Sequence, residues 1–123
     1  MPNLDLPILV VDDAKFSSMV VGRTLRNAGY RDVRIANNAP AALEFIEQRP
    51  VSVLIADWLM PEMDGPSMLC ELRKRGVKTR IVFISGYAED AFEKNLEGQT
   101  DFAFLPKPFT LKQLAEAVKE AIG

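Results

Sequence analysis

Five short apolar runs, each followed by a stretch of helical periodicity, constrain this chain more than any other feature. The runs are Ile8–Val11, Val33–Ala36, Val51–Ala56, Ile81–Ile84 and Phe102–Leu105. Three of them are nearly unbroken and rich in β-branched residues. That is the composition of strands buried on both faces, as in a parallel sheet, because a half-exposed strand alternates apolar with polar. The second run alternates more, which places it at an edge. Between the runs the period changes. Phe16, Met19, Val20 and Ala28 recur at helical spacing, and Gly29 supplies a stop. Asn38 can cap a second helix, with Pro40 tolerated in its first turn. Met68, Leu69 and Leu72 form a third stripe closed by Gly76, and Ala88, Ala91 and Phe92 a weaker fourth. Thr110 and Gln113 have capping-box spacing ahead of Leu111, Leu114, Val118 and Ile122. Strict β-α alternation implies right-handed crossovers and an α/β fold, a doubly wound parallel sheet with helices on both faces. At 123 residues the chain has the size of one domain, residues 1–123, with no repeats, linkers or low-complexity tracts.

Composition narrows the function classes. With 15 basic and 17 acidic residues the formal charge is −2, and no basic run marks a nucleic-acid surface. No apolar run approaches the roughly 20 residues of a membrane span, and Met1–Pro7 lacks the basic start and apolar core of a signal peptide. A single cysteine, Cys70, cannot form an internal disulfide, which suits a reduced compartment. A cytoplasmic location is therefore expected, with neither nucleic acid nor membrane as a direct partner. The chain contains no histidine, so imidazole catalysis, histidine metal ligation and phosphohistidine chemistry are excluded within it.

Four of the five runs end in a chemically useful residue: Asp12 and Asp13, Asp57, Ser85, and Lys107. Singly, each has a bland reading as a cap, a turn residue or a solvated lysine. A parallel sheet, however, brings all four ends to one rim, and ligand sites in such sheets lie beyond the carboxyl ends of the strands. Three converging carboxylates repel one another unless a cation compensates. They are hard oxygen ligands without imidazole or thiolate nearby, so Mg²⁺ is the natural ion. A carboxylate beside Mg²⁺ and an ammonium can attack a phosphoryl donor to give an aspartyl phosphate, and a serine hydroxyl can hydrogen-bond a phosphoryl oxygen.

The segments Val10-Val11-Asp12-Asp13, Asp57-Trp58-Leu59-Met60-Pro61-Glu62-Met63-Asp64-Gly65, Ile84-Ser85-Gly86 and Leu105-Pro106-Lys107-Pro108-Phe109 resemble, in order and spacing, the receiver domains of bacterial response regulators. The likeness runs along essentially the whole chain. It implies a flavodoxin-like (βα)5 domain with sheet order 2-1-3-4-5 and the role of a phosphorylatable switch rather than an enzyme. By resemblance Asp57 is the phosphoacceptor. Asp13 ligates Mg²⁺ directly and Asp12 mainly through water, with Asp57 and the Leu59 carbonyl completing the protein ligands. Lys107 pairs with the acceptor and then with the phosphoryl group, Ser85 is the switch hydroxyl, and Phe104 is the aromatic that rotates inward. Partners read the face made by the fourth and fifth helices and the fifth strand. A histidine kinase or histidine phosphotransfer protein docks as phosphodonor on the first helix and the loop after the fifth strand, at Phe16, Met19, Val20, Pro108 and Phe109. For Phe16 and Val20 the bland reading is burial in the core.

Leu59 and Tyr87 stand where the family varies and tunes the life of the phosphoryl group; both are bulky, and Leu59 has no group to orient a water. The halves also resemble different members. Val10 to about Gly65 is similar to receivers of separate response regulators, and the remainder to terminal receivers of hybrid histidine kinases. A natural intermediate sequence or a chimera joined near the third helix both fit. Two other functions use similar residues. A haloacid-dehalogenase-type phosphohydrolase also has a nucleophilic Asp, but it needs a second Asp where Leu59 stands, and a substrate cap. A degenerate receiver that only binds partners has no need of the intact Asp12, Asp13, Asp57, Ser85 and Lys107 set.

Overall fold

The computed structural model describes residues 4–58, 63, 65–85, 102–106 and 109–122. Strands β1 (Ile8–Val11), β2 (Val33–Ala36), β3 (Val53–Asp57), β4 (Arg80–Ser85) and β5 (Phe102–Pro106) alternate with helices α1 (Lys15–Asn27), α2 (Ala39–Gln48), α3 (Gly65–Lys74) and, after β5, α4 (Leu111–Ile122). The fourth helical pattern read from the sequence, at Ala88, Ala91 and Phe92, lies outside the described residues.

All pairings are parallel, in the order β2-β1-β3-β4-β5. The second run is an edge strand, as its alternation indicates, and β5 is the other edge. Side chains alternate between two buried layers. Ile8, Val10, Val53, Ile55, Val82, Ile84 and Leu105 meet Val21 and Leu25 of α1 and Leu114 and Val118 of α4. Leu9, Val11, Leu54, Ala56, Ile81 and Phe83 meet Ala42, Leu43 and Ile46 of α2 and Met68, Leu69 and Leu72 of α3. Each large apolar side chain so enclosed contributes about 1.5–3 kcal/mol.

The local signals operate as read. The Asn38 carboxamide oxygen accepts the Ala41 N–H at 2.7 Å, with proline in the first turn of α2. Ahead of α4, the Gln113 side chain accepts the Thr110 N–H at 2.8 Å and the Thr110 hydroxyl accepts the Gln113 N–H at 3.1 Å, a reciprocal pair. Gly29 and Gly76 follow α1 and α3 with φ of 105° and 77°, the left-handed conformation that closes a helix without a Cβ penalty. Arg73 then donates to the Val77 and Thr79 carbonyls at 2.7 and 2.9 Å, fixing the turn into β4.

Two stripes are corrected. On α1 the buried residues are Ser18, Val21, Gly22 and Leu25, whereas Phe16, Met19 and Val20 are exposed. Gly22 can be buried because its bare Cα admits Ile35: an added Cβ would stand 3.2 Å from that side chain. On α4, Leu111 faces solvent, and Ala117 joins Leu114 and Val118 inside.

Candidate functional site

Because the strands are parallel, their carboxyl ends form one rim. Asp12 directly follows β1, and its N–H donates to the carbonyl of Ala36, the last residue of β2, at 3.2 Å, carrying the pairing one residue past the end of β1. The Asp12 carboxylate is buried and accepts the Ala14 N–H at 2.9 Å, which holds it at the entrance of α1. Asp13 is exposed beside it. Asp57 ends β3 half-buried, with its Cα opposite Ile84. One oxygen from each of Asp12, Asp13 and Asp57 lies within 4.8 Å of the other two.

This donor set fits a hard divalent cation. Three carboxylates so close are costly without a positive charge between them, and a cation bound by oxygens alone suits Mg²⁺ better than a metal that prefers imidazole or thiolate. Asp12 is held by a hydrogen bond and Asp13 is open to solvent, so the group combines a fixed donor with an accessible one.

Ser85 ends β4, one residue beyond the partner of Asp57, and its backbone is paired with Pro106 of β5. Its side chain lies outside the described residues, as do Leu59, Tyr87, Lys107 and Pro108. In sequence Lys107 directly follows Pro106, the last residue of β5. Phe104 is half-buried on β5, packed against the layer that contains Phe83. Among the expected docking residues, Phe16 is 81% exposed, Met19 55% and Val20 45%, so the bland reading of Phe16 and Val20 as core is excluded. Phe109 is half-buried against the layer of Leu105 and Leu114.

Two residues inside the Asp57 motif, Trp58 and Gly65, shape the floor of the site. The Trp58 N–H donates to the Ile84 carbonyl at 3.1 Å, and the Gly65 N–H donates to the Trp58 carbonyl at 2.9 Å, closing the segment after Asp57 at its base. Trp58 is buried edge-to-face on Phe83, with centroids 5.2 Å apart and planes at 77°. Gly65 is wedged between that ring and β3: a Cβ there would lie 2.7 Å from Phe83 Cε1 and 3.0 Å from the Asp57 carbonyl oxygen. A cleft of about 520 Å³, lined among others by Leu6, Pro50, Lys78 and Arg80, opens at the amino ends of β3 and β4, away from the carboxylates.

Comparison with known proteins agrees with this arrangement. The family model of the response regulator receiver domain matches residues 8–119. The sensor kinase CckA of Brucella abortus (strain 2308) is 46% identical over 117 residues, which cover 94% of this chain but 12% of the kinase. The response regulator receiver protein CpdR of the same strain is 30% identical over 115 residues, covering 94% of this chain and 95% of CpdR. The crystal structure of the receiver domain from the hybrid histidine kinase CckA superposes with a TM-score of 0.77 at 35% identity, covering 95% of this chain and 99% of that domain.

Proposed function

The chain belongs to the response-regulator receiver family, and from that premise we propose that it accepts a phosphoryl group on Asp57. The observation that carries this reading is the convergence of Asp12, Asp13 and Asp57 at the carboxyl rim of the sheet. Receiver domains are signalling switches rather than typical enzymes, and the family match removes the basis for a dehalogenase-type phosphohydrolase.

In the proposed step a carboxylate oxygen of Asp57 attacks the phosphorus of a donor phosphohistidine. The new P–O bond forms as the P–N bond breaks, and the histidine leaves with the electron pair of that bond. The chain has no histidine, so the donor is another molecule, a histidine kinase or histidine phosphotransfer protein. Asp12, Asp13, Asp57 and, by resemblance, the Leu59 carbonyl would hold Mg²⁺, which when bound would supply positive charge to offset the negative charge of the phosphoryl oxygens. Lys107 adds a second positive charge to the same group. Asp57 emerges from a rigid, doubly covered strand, which limits the motion of the nucleophile. The exposed Phe16, Met19 and Val20 on α1 offer the donor an apolar landing surface; by resemblance Pro108 and Phe109 belong to the same docking set.

The product carries about −1.5 to −2 charge and new acceptor oxygens. Ser85 hydrogen-bonds to it, Phe104 turns further inward, and a downstream partner reads the face of β5, α4 and the segment between β4 and β5. Leu59 and Tyr87 shield the phosphoryl group from water, giving a lifetime suited to a phosphorelay intermediate. A cytoplasmic setting follows from such a donor.

The test is incubation with acetyl phosphate and Mg²⁺ followed by intact mass. The wild type is expected to gain one phosphoryl group and Asp57→Asn none. An unlabelled wild type, under conditions that label another receiver, rejects the reading in favour of a phosphorylation-independent binding module.

A further inference from the structure

We infer that Phe83 is a positioning residue that links the floor of the acceptor site to Phe104, so that a change at Asp57 reaches the edge of the sheet through its ring. This rests on the reading of Asp57 as phosphoacceptor and adds to it a second path beside Ser85.

The geometry is a row across the sheet. Val11, Ala56 and Phe83 lie in register, with Phe104 next on β5. Register partners in adjacent parallel strands stand about 4.8 Å apart and point to the same face, and all four belong to or pack against the same layer. Ala56, small and fully buried, is the register partner of Phe83 on the neighbouring strand. Gly65 in turn touches both that ring and the Asp57 carbonyl, since an added Cβ would lie 2.7 Å and 3.0 Å from them. Trp58, the residue after Asp57, packs edge-to-face on the same ring. One fully buried ring therefore meets the acceptor strand's exit on one side and is the lateral neighbour of Phe104 on the other.

Close packing gives this contact a direction. An interior without voids passes a displacement on, because atoms on one side of a ring cannot advance unless those on the other side yield. In the row Val11–Ala56–Phe83–Phe104 the first three are fully enclosed, and Phe104, on an edge strand, is half-exposed. Movement of Trp58 or Gly65 when Asp57 is loaded is thus taken up at Phe104. The edge-to-face contact with Trp58 depends on orientation, so the ring also senses rotation of the indole.

The experiment places 4-fluorophenylalanine at position 104 and records its ¹⁹F NMR signal with Mg²⁺, before and after beryllofluoride, in the wild type, Phe83→Leu and Phe83→Met. Each protein is also labelled with acetyl phosphate and melted thermally. The wild type is expected to label and to shift its signal. Both variants should still label at close to the wild-type rate and unfold cooperatively, yet lose most of the shift. If Phe83→Leu does not fold, Phe83→Met, which keeps volume on a flexible chain, carries the same expectation. A full shift in the variants overturns the link, as does a silent signal in a labelled wild type. Loss of shift, labelling and cooperative unfolding together assigns Phe83 a purely structural role and equally overturns it. A wild type that does not label instead removes the phosphoacceptor reading beneath the proposal.

Discussion

Gly65→Ala probes how tightly the acceptor site is built onto the core. The added Cβ would lie 2.7 Å from Cε1 and 3.1 Å from Cδ1 of Phe83, and 3.0 Å from the Asp57 carbonyl oxygen. Neither neighbour is a free chain end: the ring is fully buried against Trp58, and the carbonyl belongs to β3. Forcing a methyl into such a space costs about 1–3 kcal/mol. Alanine's better helix propensity offsets less than about 1 kcal/mol of this, since Gly65 is only the first residue of α3. The net loss is about 1–2 kcal/mol. With an unfolding entropy of about 2.1 cal/mol/K per residue over the 123 residues, Tm should fall by about 4–8 °C. Thermal melts by circular dichroism read the stability, and the Trp58 emission spectrum reads displacement at the site. Gly76→Ala is the control: its φ is 77° but nothing lies within 4 Å of the added Cβ, so it should lower Tm through backbone strain and leave Trp58 emission unchanged. A Gly65→Ala protein with wild-type Tm and emission would refute the close approach.

Asp13→Ala should abolish the Trp58 fluorescence response to Mg²⁺ titration; an unchanged response removes Asp13 from the ligand set. Phe16→Glu should slow transfer from a protein phosphodonor and spare labelling by acetyl phosphate, because Phe16 is exposed on α1 and not part of the core; equal loss with both donors points to damage at the site. Leu59→Asn and Tyr87→Glu should each speed first-order decay of the phosphorylated protein, about tenfold or roughly 1.4 kcal/mol of barrier, by admitting an oriented water; decay no faster than wild type removes the shielding role. Burial raises the Tyr30 phenol above its ordinary value of 10.0. A raised folded-state value leaves stability unaffected below about pH 10 and lowers it as pH rises further, so Tyr30→Phe should flatten the alkaline limb of a chemical-denaturation series.

The sequence carried the frame of this molecule wherever the signal was local. Strands β1, β3 and β4 announced themselves because both their faces are covered, and the caps at Asn38 and at Thr110 with Gln113 were legible because each is a contact between residues three apart. The rim carboxylates were legible for a topological reason: parallel strands deliver their ends to one place. What hydrophobic spacing missed is equally physical. The inner face of α1 uses Ser18 and Gly22, which give no apolar signal, while the apolar Phe16, Met19 and Val20 turn outward. Leu111 joins the expected stripe of α4 but sits in its first turn, beyond the sheet's cover. The unequal burial of the adjacent Asp12 and Asp13 depends on the chain turning into α1 between them and Ala14. The wedge of Gly65 between Phe83 and Asp57 joins residues far apart in sequence, through a contact that exists only once α3 has docked on the sheet.

The claim on which the account depends is that Asp57 itself carries the phosphoryl group. Borohydride reduction of the protein after incubation with acetyl phosphate and Mg²⁺ converts an aspartyl phosphate to homoserine, and peptide mass mapping then locates the converted residue. Homoserine at position 57, and aspartate retained at positions 12 and 13, is the predicted result. Homoserine at 12 or 13, or none in a protein that has gained phosphoryl mass, would contradict it.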